Sequence, residues 1–102
     1  MAQFSQSTLD DGTAVLSVTG DVDLAEADAF VEAARECLAR ARGVDLDLSG
    51  VTFIDSSGLG ALVRLRNDAA ALAKPLHLAN VSRSVDRLLQ VTGLDDSFER
   101  RP

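Results

Sequence analysis

Apolar and polar residues alternate over 44–49, where Val44, Leu46 and Leu48 are separated by Asp45, Asp47 and Ser49, the two-residue period of a strand with one buried face. Val51, Phe53 and Ile54 carry the apolar content up to Asp55. The period then changes: behind Gly58, the residues Leu62, Leu65, Ala69 and Leu72 recur three and four apart, the buried stripe of a helix predicted from about Ser57 to Ala73. Pro75 ends that helix, because Lys74, the residue before a proline, is biased out of the helical region. Upstream, Phe4–Leu9 and Ala14–Thr19 read as strands joined by a turn at Asp10, Asp11 and Gly12, with Gly20 bounding the second. A first helix follows, with Ala27, Phe30, Val31, Ala34, Leu38 and Ala41 on one face, Asp23 as N-cap and Gly43 as its stop. Downstream, Leu76–Asn80 reads as a strand. Ser82–Val91 reads as a helix that turns Val85, Leu88 and Leu89 inward and stops at Gly93.

Two adjacent strands at the start pair antiparallel, and the strict alternation of strand and helix afterwards calls for parallel strands joined by crossover helices. The predicted fold is α/β: a small single domain over 1–102 with a mixed, mostly parallel sheet, an antiparallel N-terminal edge strand and about three helices. At 102 residues, 46% of them hydrophobic, the chain can build one core and not two.

Charge narrows the partners. Ten Lys and Arg against sixteen Asp and Glu leave a net charge of −6, which opposes binding to nucleic acid or to an anionic membrane surface. A protein partner with a basic patch fits better. Cys37 is the single cysteine, so an internal disulfide and a cysteine metal cluster are excluded; it reads as a partly buried apolar residue in a reducing compartment. No export signal and no run of 18 apolar residues is present, so a soluble, cytoplasmic protein without a cofactor or bound metal is expected.

The stretch Asp55, Ser56, Ser57, Gly58, Leu59 and Gly60 is not explained by core building. Its two hydroxyls fall at a strand-to-helix junction, where unpaired N–H groups and the positive end of the helix dipole favour an anion. A phosphorylatable or phosphate-binding serine fits this chemistry, and so does an ordinary N-cap at Ser56 or Ser57. Enzyme frames fail on spacing. Neither serine has the flanking glycines of a nucleophile elbow. Val63 stands where the third small residue of a dinucleotide fingerprint belongs, and no Gly-Lys-Ser or Gly-Lys-Thr run exists for a phosphate-binding loop. The one histidine, His77, is expected on the solvated face of its strand, as are Asp45 and Asp47.

Asp47 to Gly60, together with Gly20, Asp21, Val22 and Asp23, resembles a STAS domain of the bacterial anti-sigma factor antagonist family, in element order over nearly the whole chain. The resemblance implies that Ser56, directly after Asp55, is the phosphoacceptor of an anti-sigma factor that is itself a serine kinase, and that a serine phosphatase reverses the modification. It also places the Asp21–Asp23 turn near that site. Relatives usually continue with a strand and a final helix, whereas here Leu94 to Pro102 leave room for a strand around Phe98 and not for a C-terminal helix.

The implied function is that of an anti-sigma factor antagonist and not an enzyme. The unphosphorylated form binds the anti-sigma factor and releases the sigma factor, and phosphate on Ser56 ends that binding. The partner surface is expected to comprise Asp21, Asp23, Asp55, Ser57, Gly58, Leu59, Gly60, Val63, Arg66 and Asn67; Leu59 and Val63 serve equally well as a widened core stripe. A weak homodimer is a further expectation. The alternative is a STAS subunit of a stress-signalling or lipid-transport assembly that uses the same helix without phosphorylation.

Overall fold

In a computed structural model that describes residues 1–101, the elements run β1 (Gln3–Thr8), β2 (Thr13–Val22), α1 (Leu24–Arg40), β3 (Gly43–Ile54), α2 (Ser56–Ala71), β4 (Leu76–Val81), α3 (Arg83–Val91), a 3₁₀ turn (Asp95–Ser97) and β5 (Glu99–Arg100). They build one five-stranded sheet in the order β1-β2-β3-β4-β5. β1 is antiparallel to β2 through the hairpin at Gly12, and every other pair is parallel, as the crossover helices require. This is the α/β architecture expected from the alternation of elements.

The core forms where the strand and helix periods meet. Ala14, Leu16 and Val18 of β2 lie in register with Val44, Leu46 and the bulged stretch of β3, and Leu46 faces Leu78 of β4. Ala14, Leu16, Val18, Val44, Leu46, Leu48 and Leu78 are buried, along with Ala27, Phe30, Val31, Ala34 and Leu38 of α1 and Leu62, Leu65 and Ala69 of α2. Phe4 of the edge strand stacks on Phe30 at 6.2 Å between ring centroids, so β1 adds an aromatic contact to the α1 side of the sheet. Two ion pairs tie α1 to α2: Arg35 with Asp68 at 2.7 Å and Arg64 with Asp28 at 3.7 Å.

Several expectations are corrected. β2 does not stop at Gly20 but passes through it, because a left-handed φ of 89° is open to glycine and a Cβ there would fall 2.2 Å from the carbonyl oxygen of Met1. Gly43 does not end α1, which closes at Ala41; it opens β3, where a Cβ would sit 2.7 Å from the Pro75 ring. α2 ends at Ala71 rather than Ala73, so Leu72 leaves the buried stripe and is 53% exposed. The last turn is closed by N–H bonds from Ala73 to Ala70 O and from Lys74 to Ala69 O, with Ala73 at φ 54°, a Schellman arrangement. Cys37 is fully buried and not partly so.

The solvated reading of Asp45 is also overturned. Asp45 lies on the sheet face opposite Leu46, yet it is only 2% exposed. Arg101 pairs with its Oδ2, and His77, its neighbour across β4, stands 3.5 Å from its Oδ1. Residues after the 3₁₀ turn return to the sheet to cover it, which no local pattern around Asp45 announces. His77 is correspondingly about three-quarters buried, with 23% of its side chain exposed.

Candidate functional site

β3 delivers the chain to α2 at Asp55, whose extended backbone (φ −117°, ψ −169°) turns its carboxylate over the first helical turn. Oδ1 accepts the N–H groups of Ser57 at 2.9 Å and Gly58 at 3.2 Å, two of the donors a helix start leaves unpaired. The cap is therefore Asp55, and the expectation that a serine fills this role is corrected. Ser56 becomes the first residue of α2. Its side chain is exposed, and among the described residues no hydrogen bond engages its hydroxyl. Ser57 is half-buried.

The two glycines of the stretch differ. A Cβ on Gly58 would lie 2.6 Å from Val22 O and 2.7 Å from Ile54 Cγ1, so glycine there lets α2 seat against the ends of β2 and β3. A Cβ on Gly60 would meet nothing within 4 Å. In a helix interior such a glycine costs about 1 kcal/mol relative to alanine, and packing within this chain supplies no compensation. Gly60 lies one turn beyond Ser56, and Val63 and Asn67 continue the same face at helical spacing.

The remaining candidates divide. Gly60 and Asn67 are exposed and Val63 is half-buried against the core, so with Ser56 they form a strip on one flank of α2. Leu59 is 9% exposed and joins the core, the widened core stripe that was one of the two readings of its position. Arg66 lies over the ring of Phe98 at 5.6 Å and donates weakly to Asn67 Oδ1 at 3.4 Å.

Asp21 and Asp23 reach the site through the sheet. Val22 pairs with Ile54 and abuts Gly58, which sets the Asp21–Asp23 turn against the first turn of α2. Asp21 Oδ1 accepts from the Thr52 hydroxyl at 3.0 Å, and its Oδ2 is 3.7 Å from the N-terminal amine. Asp23 occupies the N-cap position of α1 but makes no side-chain cap, and its buried Oδ1 has no hydrogen-bond partner. Its capping role is thus confined to the backbone, where its carbonyl accepts from Glu26 and Ala27. Among the described residues, no group of three or more His, Cys, Asp or Glu side chains is placed to hold a metal ion, and no helix is long and apolar enough to cross a membrane.

Sequence reasoning missed Phe53 and Leu24, which are 50% and 77% exposed beside these elements. Phe53 shares its parity with buried Val51, which would put it inside. The register shows why it is not: Gly20 pairs with Val51 and Asp21 with Phe53, so Thr52 is an extra residue and the strand reverses its faces. The pair Gly20-Asp21 opposite an apolar run was the available signal.

A family model described as "Mlab, STAS domain" matches residues 5–99. A STAS-domain containing protein of Pseudomonas aeruginosa is 29% identical over 84 residues, which cover 82% of this chain and 83% of the relative. Among solved structures, an anti-sigma factor antagonist from Mycobacterium paratuberculosis superposes with a TM-score of 0.86 at 26% identity, covering 100% of this chain and 86% of that one. The anti-sigma factor antagonist SpoIIAA of Bacillus shares the fold in its unphosphorylated form (TM-score 0.78, 20% identity, 98% and 89% covered) and in its phosphorylated form (0.73, 19%, 98% and 92%).

Proposed function

The chain belongs to the STAS domain family, and on that premise we propose that it is an anti-sigma factor antagonist controlled by phosphorylation at Ser56. Unphosphorylated, it binds an anti-sigma factor that is a serine kinase and so frees the sigma factor. Phosphate on Ser56 ends the binding, and a serine phosphatase restores it. The domain is a substrate of these enzymes and catalyses nothing itself, and it works in the cytoplasm as a single domain over residues 1–102.

The observation that carries this reading is the exposed, unengaged hydroxyl of Ser56 at the first position of α2, with Asp55 rather than a serine performing the cap. A hydroxyl spared from structural duty can be modified without loss of the helix. Phosphate there adds roughly −1.5 to −2 charge beside Asp55, and the helix dipole offsets part of the repulsion. Modification therefore changes the surface and leaves the backbone in place, in keeping with the likeness of this fold to SpoIIAA in both of its forms. The open space at Gly60, one turn further along, lets a kinase or anti-sigma factor approach the hydroxyl closely. The partner surface is the strip of Ser56, Gly60, Val63 and Asn67, flanked by Asp55, Ser57, Asp21 and Asp23.

Incubation with ATP and a candidate anti-sigma factor kinase from the same genome, followed by mass spectrometry, tests the assignment. Phosphate on Ser56, absent from Ser56→Ala, is expected; phosphate on Ser57 or on no residue refutes it. The second reading is a STAS subunit of a stress-signalling or lipid-transport assembly that uses the same helix unmodified. Binding to a partner unchanged by Ser56→Asp would select it.

A further inference from the structure

The sheet has two edges of unequal character. β5 offers two residues, Glu99 and Arg100, both charged and exposed, and a short charged strand keeps other chains from pairing there. β1 offers six residues, Gln3–Thr8, all exposed except the half-buried Phe4. It contains no charge and no proline, and it pairs with β2 in one unbroken register without a bulge. In a chain of which 25% is charged, this edge carries none of the usual guards.

The hairpin fixes which backbone groups point outward. The Leu9 N–H donates to Thr13 O at 2.8 Å, so that opposed pair is hydrogen-bonded. Alternation along an antiparallel ladder then directs Ser7, Ser5 and Gln3 inward to β2 as well. Phe4, Gln6 and Thr8 fall between them and turn their N–H and C=O groups to the free edge. Their side chains share the sheet face on which Phe4 stacks against Phe30 of α1.

We propose that the protein forms a two-fold dimer in which β1 pairs antiparallel with β1 of a second copy. The spacing of the outward groups is its own complement: an axis through Gln6 sets Gln6 against Gln6 and Phe4 against Thr8, and every outward N–H of either chain then meets a carbonyl of the other. No charged residue is brought into the ladder. The same edge cannot extend into an open array, because β5 is too short and too charged to receive β1, so the assembly closes at two copies. Glu32 and Glu36 of α1 line the groove beside Phe4, where Arg35 is already held by Asp68, and each chain carries a net charge of −6. Like charge therefore opposes the pairing, and salt strengthens it by screening. The interface shares no residue with the strip of α2 around Ser56 and stands independently of phosphorylation there.

Sedimentation equilibrium of the whole protein over a wide concentration range is expected to show monomer and dimer only, with more dimer at high salt. Gln6→Pro removes an outward N–H while leaving the ladder to β2 intact, a position at which an edge strand accepts proline. It is expected to weaken association by about ten- to a hundredfold, whereas Gln6→Thr, which keeps the N–H, associates like the unaltered protein. Hydrogen exchange on the unaltered protein gives a reading that needs no variant. The amides of Phe4, Gln6 and Thr8 are expected to exchange more slowly as concentration rises, while those of Ser5 and Ser7, already bonded to β2, change little. A monomer at every concentration, assemblies larger than a dimer, a dimer as tight in folded Gln6→Pro, or association that leaves the Phe4, Gln6 and Thr8 amides unprotected overturns the proposal.

Discussion

The Asp55 carboxylate accepts the Ser57 N–H at 2.9 Å and so makes an aspartate, not the serine pair beside it, the cap of α2. This separates stability from modification at adjacent positions. Asp55→Ala is expected to cost about 1 kcal/mol, a fall in Tm of about 4–8 °C for a domain of this size. Ser56→Ala and Ser57→Ala leave Tm nearly unchanged. Thermal unfolding of the three variants, followed by circular dichroism, checks the order.

Gly58 and Gly60 are expected to respond to alanine with opposite signs. At Gly58 the added methyl meets the Val22 carbonyl at 2.6 Å, a backbone atom that cannot swing away, and overpacking of this kind costs about 1–3 kcal/mol. At Gly60 it meets nothing, and removing the helical glycine gains up to about 1 kcal/mol. If the strip beyond Ser56 receives a partner, Gly60→Ala weakens that binding while the protein itself becomes more stable. Urea unfolding and a binding titration on the same two variants separate the effects.

The same helix ending occurs twice with different residues. After α3, Gly93 takes φ 72° while its N–H and that of Leu94 bond back to Gln90 and Leu89; after α2, Ala73 takes φ 54° with the equivalent bonds to Ala70 and Ala69. A left-handed alanine is strained by about 1–2 kcal/mol, and glycine forfeits part of that relief through its greater freedom when unfolded. Ala73→Gly is expected to raise stability by up to about 1 kcal/mol in urea unfolding, and Gly93→Ala to lower it.

Cys37 is buried between α1 and the sheet, and burial pushes its thiol above the usual range. Alkylation is expected only through unfolding, with a native rate that rises in step with destabilising variants such as Gly58→Ala. The pH dependence has a definite sign. The thiol ionises more readily in the unfolded chain than in the folded one, so this residue contributes nothing below the ordinary thiol range and destabilises the fold as pH rises through it. Cys37→Ala flattens that alkaline decline.

How far the sequence was legible depends on where each residue's partners lie. Ala27, Phe30, Val31, Ala34 and Leu38 appear on one face from spacing alone, because a helix sorts its residues by a period that neighbours set. The strand Val44–Leu48 and the hairpin at Gly12 are legible for the same reason. Phe53 and Asp45 are not. One extra residue, Thr52, reverses the faces of β3 and turns Phe53 outward, and Asp45 becomes buried because Arg101, more than fifty residues later, returns to pair with it. Gly43 looks like a helix stop locally and proves to be a gap for Pro75. At the site, Asp55, Ser56 and the glycines are legible as an odd junction, but not which of them caps the helix.

By itself the sequence determined the order and kind of the elements, the acidic charge and the singular run from Asp55 to Gly60, since period, composition and turn chemistry are properties of the chain read in line. The tertiary structure decided that Asp55 caps α2, that Leu59 enters the core while Gly60 faces open space, and that the C-terminal strand closes over Asp45. Each of these turns on a contact between elements distant in sequence or on the angle at which a side chain leaves its backbone. Such contacts exist only once the sheet has assembled and its registers are set.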